Sequence, residues 1–115
     1  MLNPSSSLRI FVCLHPADMR RSFDGLALMA QQLVQQDPGS GHLFVFRNRR
    51  GDRVKILYWD RDGYALWYKR LEAGVFRFPA APGDALELSA AELAMVLEGL
   101  VAQGVTRSKR YKKSA

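Results

Sequence analysis

At Pro38-Gly39-Ser40-Gly41 the spacing of the apolar residues changes, and no other feature restricts the chain as strongly. Before that point Phe23, Leu26, Ala30, Leu33 and Val34 recur at intervals of three and four, which lays them along one side of a helix. After it, Leu43-Phe44-Val45-Phe46 and then Val54, Ile56 and Tyr58 follow the period of two that belongs to strands. The proline and glycines between cannot continue a helix, so they close the first element where the second pattern begins.

The flanking segments extend this reading. Leu8 to Leu14 is a run rich in Ile, Phe and Val that reads as a buried strand ended by His15-Pro16, and Asp18 stands where a helix N-cap is expected. Asn48-Arg49-Arg50-Gly51-Asp52 makes a hairpin of the first strand pair. Asp60-Arg61-Asp62-Gly63 is the next reversal, with Gly63 expected to supply a positive φ. Tyr64 to Leu71 returns as a third strand, and Val75-Phe76-Arg77-Phe78 reads as a fourth, turned by Glu72-Ala73-Gly74 and stopped by Pro79. Ala85 to Leu88 adds an edge strand. Ser89-Ala90-Ala91-Glu92 is a capping box that opens a helix with Leu93, Val96, Leu97, Leu100 and Val101 as its stripe, Gly104 as its expected stop and Gly99 as a weak point inside it. Strand, helix, four-strand meander and helix in that order predict an α+β fold: a mainly antiparallel sheet with both helices on one face. The order leaves open whether the first strand joins a neighbour in parallel.

With 115 residues, 48% of them hydrophobic, the chain supports one core, placed in residues 1–106, with residues 107–115 as a flexible basic tail. Its longest apolar runs are far shorter than the roughly 20 residues a membrane helix needs. Its first residues lack the basic and apolar blocks of a secretory signal, so a cytoplasmic, nucleoid-associated protein is expected. Cys13 is the only cysteine and lies within Ile-Phe-Val-Cys-Leu, which fits a buried apolar role and rules out an intramolecular disulfide. His15 and His42 lack the spacing of a helical metal site. No metal or other cofactor is expected.

Charge is what points to a partner. Residues 1–106 hold 12 Lys and Arg against 11 Asp and Glu, a sum of only +1, but its distribution is uneven. Arg47, Arg49, Arg50, Arg53, Lys55, Arg61, Lys69 and Arg70 face only Asp52, Asp60 and Asp62 within residues 47–70, and Arg107, Lys109, Arg110, Lys112 and Lys113 crowd the tail. Concentrated cations gain affinity for a polyanion by releasing its counterions, and Trp59 or Trp67 adds a ring for base stacking. The competing reading is a solvated basic hairpin with both tryptophans in the core and a tail that serves solubility. Asp60 and Asp62 are read as turn residues rather than metal ligands, since the glycine of Asp-x-Asp-Gly falls too early for a calcium loop. Asp18 is read as a cap, and Arg20 either pairs with Asp24 at i, i+4 or presents an anion site together with Arg21. Ser22 has no His/Asp set to activate it.

Three stretches carry a resemblance: Asp18-Met19-Arg20-Arg21-Ser22-Phe23-Asp24-Gly25-Leu26-Ala27, Lys55-Ile56-Leu57-Tyr58-Trp59-Asp60-Arg61-Asp62-Gly63, and Leu66-Trp67-Tyr68-Lys69-Arg70-Leu71-Glu72-Ala73-Gly74. Together they resemble the TnpB (Orf-two-like) accessory proteins of the IS-sixty-six group of bacterial insertion sequences, over roughly residues 8–103. The motif positions are Asp18, Arg20, Ser22, Phe23, Asp24, Gly25, Phe46, Arg47, Lys55, Tyr58, Trp59, Asp60, Gly63, Trp67, Lys69 and Arg70. The resemblance implies a non-catalytic role in transposition beside a DDE-type transposase and a small companion protein, and it brings no catalytic residue. The first functional reading is an accessory factor that contacts DNA, through the nucleic-acid-binding set Arg47, Arg49, Arg50, Arg53, Lys55, Lys69, Arg70 and the tail. The second is a protein–protein adaptor for the transposase that uses the aromatic face of the sheet. A metal-dependent nuclease stands third.

Overall fold

The computed structural model of the chain describes residues 7–99. Five strands, β1 (Ile10–Cys13), β2 (Leu43–Arg47), β3 (Arg53–Asp60), β4 (Gly63–Arg70) and β5 (Ala85–Leu88), form one sheet in the order β4-β3-β2-β1-β5. Helix α1 (Phe23–Met29) runs on into a π-helical segment over Ala30–Val34, and α2 (Ala90–Glu98) follows β5. β1 pairs in parallel with β2, Ile10 opposite Leu43, because the crossover through α1 returns the chain in the same direction. The other pairings are antiparallel, so the fold is α+β with a mainly antiparallel sheet.

The helices do not share a face. Ile10, Val12, Leu43, Val45, Val54 and Ile56 pack with Leu93 and Val96 of α2, while Phe11, Cys13, Phe44, Phe46 and Leu57 pack with Leu26 and Met29 of α1 and with Ala30 and Val34. One helix therefore covers each side, which corrects the expectation of a single covered face. The reason is visible in the strands: Ile10 to Cys13 and Leu43 to Phe46 are buried at every position, and a strand apolar on both sides needs cover on both.

Three further expectations change. The segment Val75–Phe78 is not a strand, so the meander has three strands. Its residues belong to a crossing that leaves β4 at one edge of the sheet and reaches β5 at the other, burying Phe76 with the α2-side core on the way. Phe76 N donates to the Gly51 carbonyl at 2.8 Å, so this crossing is tied to the β2–β3 loop rather than to a strand edge. Gly99 is the C-cap of α2 rather than an interior weak point, with φ 77° in the left-handed region glycine tolerates; the Gly104 stop lies outside the described residues. At the β3–β4 reversal Arg61, not Gly63, takes the positive φ of 59°, and the Trp59 indole donates to its carbonyl at 3.1 Å. The capping box of α2 is present as read, Ser89 Oγ accepting from Glu92 N and Glu92 Oε1 from Ser89 N.

Phe23 lies at the start of α1, 43% exposed, although its spacing assigned it to the packed stripe. Phe44 is fully buried. Phe44→Ala is expected to cost about 3–5 kcal/mol through lost transfer energy and a residual cavity, and Phe23→Ala less than about 1 kcal/mol. Urea denaturation of the two variants checks this, and equal losses would contradict the assignment of the two rings.

Candidate nucleic-acid interface

The β2–β3 loop is short and heavily cross-braced. The Asn48 side-chain carbonyl accepts from Gly51 N at 2.9 Å and Arg53 N at 3.0 Å, and its amide donates to Asp52 Oδ1 at 2.7 Å. Gly51 stands at φ 81°, and its N also donates to the Asn48 carbonyl at 3.1 Å. A side chain that satisfies the loop's own backbone in this way replaces a further ladder rung and fixes the turn. The Asn48 hydrogen bond, aided by the nearby Arg50 and Arg53 charges, holds the Asp52 carboxyl below the usual carboxylate range. Arg49 and Arg50 occupy the two positions between these braces, both exposed, and neither guanidinium has an ion pair or hydrogen bond among the described residues.

Beside this loop runs the crossing segment, and between them lies an open cleft of about 580 Å³. Arg47, Arg49 and Arg50 line it from one side and Arg77 from the other, over a floor that includes Leu14, Val75 and Phe76. Among the described residues no carboxylate lines it. Arg47 is anchored: its Nη2 donates to the Leu14 carbonyl at 2.9 Å, which leaves other N–H groups of the guanidinium for a ligand. Arg77 was not foreseen as a site residue, because it is a single cation in an apolar stretch; only the fold brings it beside the loop.

The rest of the predicted basic set is dispersed. Lys55 is only 6% exposed, and its ammonium donates to the carbonyls of Met19 and Arg21, each at 2.7 Å, while lying 4.7 Å from the centre of the Tyr68 ring. It is an internal brace and not a phosphate contact, which corrects its assignment. β3 is buried on both faces from Val54 to Leu57, and position 55 shares the α1 face with Leu57, where the loop before α1 closes over it. Arg53 donates to the Tyr68 hydroxyl at 2.9 Å, and Arg70, opposite Arg53 across the strands, is paired with Glu72 at 2.9 Å. Lys69 is opposite Val54 and points to the other face, exposed and apart from the arginine cleft. Arg107, Lys109, Arg110, Lys112 and Lys113 lie outside the described residues.

The chain matches, over residues 8–107, the family described as IS66 Orf2 like protein. The chain belongs to that family. Two curated relatives, both from Sinorhizobium fredii (strain NBRC 101917 / NGR234), agree with it at similar depth. The uncharacterized protein y4jC is 41% identical over 100 residues, covering 87% of this chain and 86% of its own. The uncharacterized protein y4hO is 38% identical over 100 residues, covering 87% of each. No solved structure matches. The IS66 Orf2-like proteins are accessory proteins associated with transposition. Among the described residues no helix is long and apolar enough to cross a membrane.

Eleven of the motif residues of this IS66 Orf2-like chain fall into two groups. Asp18, Arg20, Ser22, Phe23, Asp24 and Gly25 form the loop and first turn of α1. Asp18 does not cap the helix, whose N-cap is Ser22 without a side-chain bond. Instead its carboxylate accepts from the Arg20 backbone N at 2.9 Å and from Arg20 Nη2 at 2.6 Å, so Arg20 pairs with Asp18 and not with Asp24. Tyr58, Trp59, Asp60, Gly63 and Trp67 belong to the β3–β4 hairpin. Asp60 and Gly63 are opposite each other at its tip, Trp59 stands edge-on to Tyr64 with ring centres 5.1 Å apart, and Tyr58 and Trp67 are half-buried against the α2-side core.

Two measurements follow from these contacts. Lys55→Met keeps the stem and removes the ammonium, leaving two carbonyls without their donor; it should lower stability by about 3 kcal/mol in urea denaturation, as for hydrogen bonds to a charged group. A loss of DNA affinity at unchanged stability would restore Lys55 to the contact set. The Arg20 guanidinium and backbone N hold the Asp18 carboxyl down to about 2. Because that folded value lies below an unfolded value of about 3.9, the stabilisation is present above about pH 4 and fades as pH falls toward 2. Carboxyl NMR titration should find this, with Arg20→Ala returning Asp18 toward the ordinary range.

Proposed function

We propose that this transposition accessory protein binds DNA through the phosphate backbone, and that the arginine cleft beside the β2–β3 loop is the contact. One observation carries the reading: Arg47, Arg49, Arg50 and Arg77, drawn from two separate segments, line one open cleft with no carboxylate among its lining residues. A guanidinium matches two phosphate oxygens with a planar fork and keeps its charge at any working pH, so arginine suits this role better than lysine. The braced loop adds preorganisation. Asn48 and Gly51 fix the backbone that carries Arg49 and Arg50, so little backbone order is lost on binding.

Contacts of this kind position a protein on a duplex without reading bases. The arrangement fits a factor with little sequence preference of its own, which brings the element-encoded DDE-type transposase or its small companion to DNA. An adaptor working through the aromatic side chains of the sheet has less support. Phe44, Phe46 and Phe76 are buried, and the two exposed rings on the strands, Trp59 and Tyr68, are already engaged with Arg61 and with Arg53 and Lys55. Among the described residues no group of three or more His, Cys, Asp or Glu stands where it could hold a metal ion, so a metal-dependent nuclease draws no support from the fold.

Fluorescence anisotropy with a labelled duplex at several salt concentrations tests the reading. The full chain should lose affinity steeply with salt. The variant with Arg49, Arg50 and Arg77 changed to Ala should bind at least about tenfold more weakly, and its log–log salt slope should flatten by about 2–3. An unchanged slope in that variant would reject the cleft as the contact, and binding to transposase with no DNA affinity in the wild type would favour the adaptor.

A further inference from the structure

The motif before α1 plays no part in the arginine cleft, yet much of the molecule is arranged to hold it still. Lys55, rooted in the sheet, fastens the carbonyls of Met19 and Arg21. Asp18 binds Arg20 and thereby turns that cation, whose side chain is 92% exposed, into half of an ion pair. Gly25 has a distinct task. A Cβ built on it would stand 3.3 Å from Arg21 Cβ, 3.4 Å from Cγ and 3.5 Å from Cδ, so its bare backbone is what lets the Arg21 stem lie flat against the first turn of α1.

Arg21, held in this way, lines a second cleft of about 510 Å³, bounded by the loop from His15 to Asp18 and by Gln32 and Leu33. Its other lining cation is Arg49, which also lines the first cleft. The one carboxylate on the wall, Asp18, is already matched by Arg20. Arg21 also lies near enough to Asp18 to lower its pKa, but Arg20 is that carboxylate's stronger partner, and an anion held between Arg21 and Arg49 gives both guanidinium groups a counter-charge.

We propose that Arg21 and Arg49 form a second phosphate site, and that it takes a phosphodiester of the same DNA that lies along the arginine cleft. Arg49 then sits at the junction of a continuous track that runs from Arg77 past the β2–β3 loop to Arg21. This rests on the DNA-contact reading and extends it by a residue and a surface that the basic hairpin does not include. It gives the motif Arg20-Arg21-Ser22-Phe23-Asp24-Gly25 a division of labour: Arg20 neutralises Asp18, Gly25 seats Arg21, and Arg21 meets the ligand.

The test compares Arg20→Ala, Arg21→Ala and Gly25→Ala with wild type in the same anisotropy titration, using the full chain. Arg20 and Arg21 are adjacent and carry equal charge, so a general loss of positive field would weaken both variants alike. The site requires Arg21→Ala to bind about fivefold more weakly with a salt slope reduced by about 1, and Arg20→Ala to remain within about twofold of wild type. Gly25→Ala removes no charge and suits a helix, so it should remain folded by circular dichroism while losing part of the affinity that Arg21→Ala loses, and wild-type affinity in it would remove the seating role of Gly25. Equal losses in the two arginine variants overturn the site. So does wild-type binding by Arg21→Ala when the triple variant of the first cleft is impaired, and that result leaves the DNA reading standing. If the wild type binds no duplex, the DNA reading fails, and NMR titration with inorganic phosphate decides the site itself: saturable shifts of the Arg21 and Arg49 side chains keep a site for phosphate from another source, and their absence removes it.

Discussion

The two inner strands, β1 and β2, are apolar on both sides, and the rest of the fold is organised by the need to keep both sides from water. Phe11, Phe44 and Phe46 face one way and Ile10, Val12 and Val45 the other, each worth about 1.5–3 kcal/mol of transfer energy when buried. A single helix covers only one side of such a pair. The chain therefore sends α1 across one face during the parallel crossover and α2 across the other. Nine residues of α2 do not cover that second face alone, so the segment after β4 contributes Phe76 to it, with Leu71 and Phe78 packed against the same cluster. This is how a packing constraint becomes a functional one. The route that buries Phe76 is also the route that carries Arg77 to the β2–β3 loop and makes a cleft out of what is otherwise a hairpin tip.

Lys55 shows the same economy with charge. Burying an ammonium is costly unless its donors are met, and here two carbonyls and the face of Tyr68 meet them without an acid. Those carbonyls belong to a loop with no strand or helix to satisfy it, so each side solves the other's problem. The loop before α1 thereby acquires a fixed position relative to the sheet, and the β2–β3 loop is fixed to the same sheet by Asn48. Arg21 and Arg49 come from segments far apart in sequence but are both tied to the same sheet.

Much of the architecture is legible in the residues. The change of period at 38–41, the capping box at Ser89 and the hairpin turns each rest on local chemistry, and local chemistry survives folding. Apart from the local misreadings at Asp18, Gly63 and Gly99, what escaped depends on partners distant in the chain. The run Val75-Phe76-Arg77-Phe78 alternates as a strand does, but no strand edge accepts it and Gly51 takes its backbone hydrogen bond instead. The placement of the helices on opposite faces was implied by the continuous burial of Ile10 to Cys13 and Leu43 to Phe46, a signal that periodicity in the helices does not carry. The candidate site was half legible: a cluster count finds Arg49 and Arg50, but it also collects Lys55, which the sheet consumes, and passes over Arg77 and Arg21, which stand alone or in an unrelated motif. Asn48 carried a usable signal, an Asn three residues before a Gly in a tight reversal, which is the pattern of a side chain bonding its own loop.

A formal sum of +1 over residues 1–106 understates the electrostatics, because the acids are not spread evenly among the bases. Glu87, Asp18 and Glu72 are each committed to one arginine, Arg9, Arg20 and Arg70, and of these acids only Asp18 lines a cleft, beside Arg21. Arg21, Arg49, Arg50 and Arg77 have no such partner among the described residues, and all four line one cleft or the other. At physiological salt a charge is felt over about 8 Å, so paired charges elsewhere on the surface do little to cancel this group. A polyanion approaching the molecule meets a local concentration of guanidinium rather than the average of the chain, and it meets it along the line where the crossing segment, the β2–β3 loop and the loop before α1 come side by side.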